Sequence, residues 1–128
     1  MAIRTYKDLV IWKKAIQLVK RIYELTRTFP SDEKFGLVSQ MRRAAVSIAS
    51  NIAEGQARAT TGEFGQFLSH AGGSIAEVDT QLIISTELGY CARSEVQDAF
   101  GLIEELQKMM AALRSKLLSR RSSLTTNH

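Results

Sequence analysis

The residues best suited to chemistry are polar and recur at helical spacing between positions 40 and 58. Gln40, Arg43, Ser47, Ser50, Asn51, Glu54 and Arg58 fall three or four positions apart, which puts them along one face of an α-helix. Ser and Asn compete with the helix backbone for hydrogen bonds, so they are poor choices for a surface that need only be soluble. Short polar side chains between charges suit a hydrogen-bonded layer between helices or subunits, with Glu54 and Arg58 paired. Ser74 and Glu77 make a shorter patch of the same kind. Arg43, Ser47, Asn51, Glu54, Arg58, Ser74 and Glu77 are therefore the expected interface network. An acid–base pair of Glu54 with Glu77 has no nucleophile, metal or general base beside it, so no catalytic residue is assigned.

A second constellation is cationic. Lys13, Lys14, Lys20, Arg21 and Arg27 share the polar face of the first helical segment, and Arg42 and Arg43 follow on the second. Cations aligned along ~20 Å of helix can track a phosphate backbone, which gives affinity without base reading. Lys13, Lys14, Lys20, Arg21, Arg42 and Arg43 are the candidate nucleic-acid contacts. A solvated helix face accounts for the same pattern equally well. Aromatic residues are not interleaved with these charges, which argues against recognition by base stacking.

The remaining inventory is thin. Two histidines, His70 and His128, do not make a metal cluster. Cys-x-x-Cys, His-Glu-x-x-His, phosphate-loop and dinucleotide patterns are missing, as is the paired Glu-x-x-His of a di-iron bundle. Cys91 stands without a basic neighbour and reads as an inert thiol. No cofactor or metal site is expected, and the chain is expected to bind instead of catalysing.

Four apolar-periodic segments must position these groups. The first runs from about Lys7 to Thr28, with Leu9, Trp12, Ile16, Val19, Tyr23 and Thr26 on one stripe and Ile11, Ala15, Leu18, Ile22 and Leu25 beside it. That arc is wider than one bundle core requires, so part of it is expected to meet a second subunit. The second spans about 33–57, capped by Ser31 or Asp32, with a seam of Val38, Met41, Ala45, Ile48 and Ile52; Gly55 is a weak breaker near its end. The third, about 61–88, is capped by Thr60 or Thr61 and stopped by Gly89. Gly72 and Gly73 in its middle predict close approach of another backbone, with a local kink as the alternative. The fourth covers about 95–119 after a Ser94 cap, and residues 121–128 read as a frayed tail. Short loops make successive helices antiparallel, giving an all-α, up-down-up-down four-helix bundle over residues 1–120.

Composition agrees. The 128 residues are 45% hydrophobic and 23% charged, with one proline and one cysteine, which fits one soluble, reduced, cytoplasmic domain. No apolar run approaches the ~18 residues of a membrane span, and no signal peptide is evident. Up to Arg58 there are eleven Lys/Arg against five Asp/Glu, and from Ala59 onward six against eight. A basic half joined to a mildly acidic half implies a polyanionic partner or complementary packing between subunits.

The run FPSDEKFGLVSQMRRAAVSIASNIAEGQAR, followed by FGQFLSHAGGSIAEVDTQLIISTELGY, resembles the bacterial four helix bundle protein family. That family includes proteins encoded in intervening sequences of 23S ribosomal RNA genes and, more distantly, the accessory variability determinant of diversity-generating retroelements. The resemblance is densest at Gln40, Arg42, Arg43, Ala44, Ser47, Asn51, Ala53, Glu54 and Gly55, and continues into Gly73, Ser74 and Glu77. It implies a four-helix protomer in a ring-shaped homopentamer. By analogy with the retroelement branch it also implies a basic surface for RNA or DNA and contact with a partner enzyme, a reverse transcriptase.

Overall fold

The computed structural model describes residues 5–126, with side chains through Ser119. Among them are four α-helices: α1 (Val10–Thr26), α2 (Leu37–Gln56), α3 (Thr61–Glu87) and α4 (Arg93–Thr126). Each packs on its chain neighbours, and α1 closes against α4, while the diagonal pairs do not approach. The expected up-down-up-down bundle is the architecture found.

The core is built from the narrower of the two α1 stripes. Ile11, Ala15, Leu18, Ile22 and Leu25 are buried, against Met41, Ile48 and Ile52 of α2, Leu68, Ile75 and Leu82 of α3, and Ile103 and Leu106 of α4. Trp12, Ile16 and Val19 are half-buried at its edge, and only Val10 and Tyr23 of α1 stand out as exposed large apolar groups. Most of the wide apolar arc is thus absorbed within the chain. Buried Ala44, Ala45 and Ala49 let α2 and α3 lie close, and these two helices share the most extensive contact.

Helix ends depart from the pattern in physically readable ways. A capping box between Thr5 and Asp8 closes a 3-10 turn over Tyr6–Asp8, so the α-helix begins only at Val10. Another 3-10 turn takes up Ser31–Glu33, and α2 starts after Gly36. Its orphan amide at Leu37 is met by Glu33 Oε1 at 3.2 Å, not by Ser31 or Asp32. Thr60 caps α3, its hydroxyl accepting from the Glu63 N–H. Gly89, at φ +78°, ends α3 in a Schellman arrangement, with Tyr90 N–H donating to Ser85 C=O and Gly89 N–H to Thr86 C=O. α4 begins at Arg93, ahead of Ser94, with Glu95 Oε1 accepting from Ala92 N–H. It also continues to Thr126, through the segment expected to fray: no Gly or Pro follows Gly101, and each added residue extends an existing helix by one hydrogen bond. The last two residues, His128 among them, lie outside the described residues.

The glycines also change roles. A Cβ added at Gly72 or Gly73 would meet nothing within 4 Å, so no backbone approaches there. The close approach is at Gly55, where a Cβ would fall 2.8 Å from Phe64 Cδ1 and 2.9 Å from Phe67 Cβ.

Both interhelix connections at one end of the bundle are tied together. Tyr90 donates from its hydroxyl to Glu33 Oε2 at 2.8 Å and packs against Phe29 with ring centroids 5.4 Å apart. The Glu33 hydrogen bond, then burial, raises the Tyr90 pKa above its ordinary value.

Candidate nucleic-acid interface

Half of the predicted phosphate contacts are engaged inside the bundle. Lys14 Nζ lies 2.9 Å from Glu105 Oε2. Arg21 reaches Asp98 Oδ2 at 2.8 Å through Nε, off the N–H axis, and donates from Nη2 to the Glu95 carbonyl at 2.6 Å. Both side chains fasten α1 to α4. Arg42 donates from Nε to Thr26 Oγ1 at 3.0 Å, and its guanidinium lies 4.5 Å from the Tyr23 ring centroid, joining α2 to the end of α1. Part of the charge asymmetry between the chain's halves is therefore satisfied within one protomer. These ion pairs are partly exposed, worth about 0.5 kcal/mol each, and position helices more than they stabilise them.

Lys13, Lys20 and Arg43 are exposed and enter no ion pair among the described residues. Arg27, the C-cap of α1, is exposed as well, so Lys13, Lys20 and Arg27 stand seven residues apart along the helix line, steps of ~10 Å at the helical rise. Exposed Lys34 lies beside Arg42 and Arg43 on the lining of one groove of about 480 Å³. Tyr23, Phe35 and Val46 share that lining, and Phe35 is 89% exposed with Lys34 Nζ 5.5 Å from its ring centroid. This overturns the expectation that aromatics are not interleaved with the basic residues. The chain reversal between α1 and α2 brings Phe35 to the cations, a juxtaposition that helical periodicity within either segment does not reveal.

The polar network is smaller than its sequence pattern. Ser47, Asn51 and Ser74 come together between α2 and α3: Asn51 Nδ2 donates to the Ser47 carbonyl at 2.8 Å and to Ser47 Oγ at 3.0 Å, and Ser74 Oγ donates to Ser47 Oγ at 3.0 Å. Glu77 joins a different pair, accepting from Gln81 Nε2 at 3.3 Å; Gln81 is buried and its Oε1 has no hydrogen-bond partner. Arg43 and Glu54 are exposed and outside the network. The expected Glu54–Arg58 pair does not form. α2 ends at Gln56, so Arg58 lies beyond the (i, i+4) register and stacks on Phe67, 4.6 Å from its ring centroid.

Other reactive side chains are scattered. His70 is exposed and edges Phe67, and no group of three His, Cys, Asp or Glu residues is placed to hold a metal ion among the described residues. Cys91 is buried, and burial followed by the nearby Glu95 carboxylate pushes its thiol pKa up. No helix among the described residues is long and apolar enough to cross a membrane.

No curated protein matches the chain. A crystal structure of a protein of unknown function from the S23 ribosomal protein family of Bacteroides thetaiotaomicron superposes with a TM-score of 0.76 at 20% identity, covering 83% of this chain and 96% of that one. That likeness concerns the fold. Residues 7–112 match the sequence model of a family, and by that match the chain belongs to the 23S rRNA-intervening sequence protein family.

Proposed function

We propose that the protein is a non-enzymatic, oligomeric helical bundle of the cytoplasm that binds a nucleic-acid backbone, RNA in the first instance, through the outer face of α1 and the start of α2. The observation that carries this reading is the line of exposed Lys13, Lys20 and Arg27, together with exposed Arg43 and Lys34 on one groove of the same chain. Cations held on a rigid helix at regular spacing meet phosphates without ordering long loops, and binding is driven by counterion release. The family's association with 23S ribosomal RNA genes favours RNA over DNA. Assembly into a homo-oligomer, with a pentamer as the family resemblance implies, would repeat the line around a ring and multiply its effective affinity.

Fluorescence anisotropy with labelled RNA at ~50 mM salt tests it, and affinity should fall steeply as salt rises. Replacing Lys13, Lys20 and Arg43 together with Gln should weaken binding and flatten the salt slope. Absence of any binding by the wild-type protein at that salt would reject the reading.

A second reading is a protein-interaction scaffold for an enzyme such as a reverse transcriptase, with any nucleic acid held by the partner. Exposed Ile83, Ile84 and Leu88 near the end of α3 favour it, because clustered apolar side chains suit a protein surface. A pull-down that survives nuclease treatment, together with no RNA affinity of the isolated protein, would select it.

A further inference from the structure

Phe35 is the most exposed large apolar side chain among the described residues, at 89%, and it occupies the edge of a cationic groove. One exposed phenyl ring is ordinary on its own, but here it stands beside a cationic groove and offers an apolar face that a flat ligand can cover. Three cations, Lys34, Arg42 and Arg43, line the same groove, and among the described residues no carboxylate does. Of the two acids on the preceding turn, Glu33 is committed to Tyr90 and to the α2 amide at Leu37, and Asp32 takes no part in the lining. The ligand that complements this surface is flat, apolar on its faces and surrounded by negative charge.

We propose that Phe35 is a stacking platform for one unpaired base of single-stranded RNA, with Lys34 and Arg43 taking the flanking phosphates. The inference rests on the nucleic-acid reading above and narrows it from backbone tracking to single-strand recognition. A base inside a duplex presents only its edge, so a projecting phenyl ring can stack only on a base that has left the helix. Lys34 Nζ sits 5.5 Å from the ring centroid on a flexible stem, so it can move from the ring to a phosphate as a base arrives. Arg42 is held by Thr26 and Tyr23 and shapes the groove wall; Arg43, exposed and outside every ion pair among the described residues, is the group able to reach a phosphate.

The test compares a labelled 12-nucleotide single-stranded RNA of mixed sequence with the same sequence as a duplex. Phe35→Ala is expected to weaken single-strand binding roughly 5- to 150-fold, the range found when one stacking aromatic is removed, while duplex affinity and the salt slope stay near wild type. Phe35→Trp should retain affinity, and its emission should be quenched by the single strand beyond any response of Trp12 in the wild-type chain. Equal single-strand affinity of wild type and Phe35→Ala would overturn the stacking site while leaving the backbone reading intact. Failure of the wild type to bind either RNA would overturn both. A fall in oligomer mass on Phe35→Ala, read by light scattering, would assign the ring to a contact between copies of the chain and overturn the proposal.

Discussion

Arg42 grips the end of α1 through Thr26, its Nε 3.0 Å from the threonine hydroxyl, while that hydroxyl donates onward to the Ile22 carbonyl at 2.7 Å. Adjacent Arg43 points about 100° away around the helix and is exposed. Two arginines side by side in the chain thus belong to different physics.

Their variants should separate accordingly. Arg42→Ala removes a hydrogen bond and a stacked cation and leaves the buried Thr26 hydroxyl with one partner fewer, so stability should fall by about 1–2 kcal/mol. RNA affinity measured below the lowered Tm should fall less than in Arg43→Ala, because Arg42 shapes the groove wall but takes no phosphate. Arg43→Ala should leave Tm within a degree or two and reduce the salt dependence of RNA binding by the share of one phosphate contact. Chemical denaturation and anisotropy on both variants check the pair; identical behaviour would contradict the assignment.

Glycine substitutions offer a sharper contrast. A methyl at position 55 would lie 2.9 Å from Phe67 Cβ, an atom fixed to its helix, so the aromatic ring cannot simply swing aside. Gly55→Ala should destabilise by about 1–3 kcal/mol, overpacking outweighing the better helix propensity. Gly72→Ala and Gly73→Ala meet open space and should each stabilise the folded chain by about 0.5–1 kcal/mol. Thermal melts of the three variants give the order directly.

These glycines also mark how much was legible beforehand. The helices and the bundle followed from apolar periodicity, because the α2 seam of Val38, Met41, Ala45, Ile48 and Ile52 had to face one core, and all five are buried. Gly89 and Thr60 could be placed because a left-handed C′ position and a side-chain N-cap are local demands. Gly55 does lie near the end of α2, but its close approach to Phe64 and Phe67 was missed and the Gly72–Gly73 pair misassigned, because what a glycine faces depends on the neighbouring helix. Half of the candidate phosphate contacts turned inward for the same reason. Lys14, Arg21 and Arg42 stand three or four positions from the buried seam, at Leu18 and Val38, and find partners on other helices, whereas Lys13, Lys20 and Arg43 point away from it. Counting two α1 stripes as core hid that difference. Phe35 was hidden because it sits in the connection before α2, where no period assigns it a face.

Cys91 should behave as a protected thiol. It is buried, and desolvation with the nearby Glu95 charge disfavours the thiolate that reacts. Disulfide-exchange reagents at neutral pH should label native protein far more slowly than protein unfolded in urea. Comparable rates in the two states would place the thiol at the surface.

The Tyr90–Glu33 bond predicts a specific alkaline weakness. Its phenol holds the proton more tightly in the folded state than in the unfolded chain, because the hydroxyl donates to a carboxylate that would repel the phenolate. The folded pKa lies above the unfolded one, so this stabilisation is complete below the unfolded tyrosine pKa of about 10 and is lost as pH rises through the folded value. Stability should therefore be insensitive to this group near neutrality and fall above about pH 10. Tyr90→Phe should lower stability at neutral pH, where the bond is intact, and flatten the alkaline decline. Denaturant midpoints across that range for wild type and variant decide it: an unchanged alkaline slope in Tyr90→Phe would assign the decline to other groups.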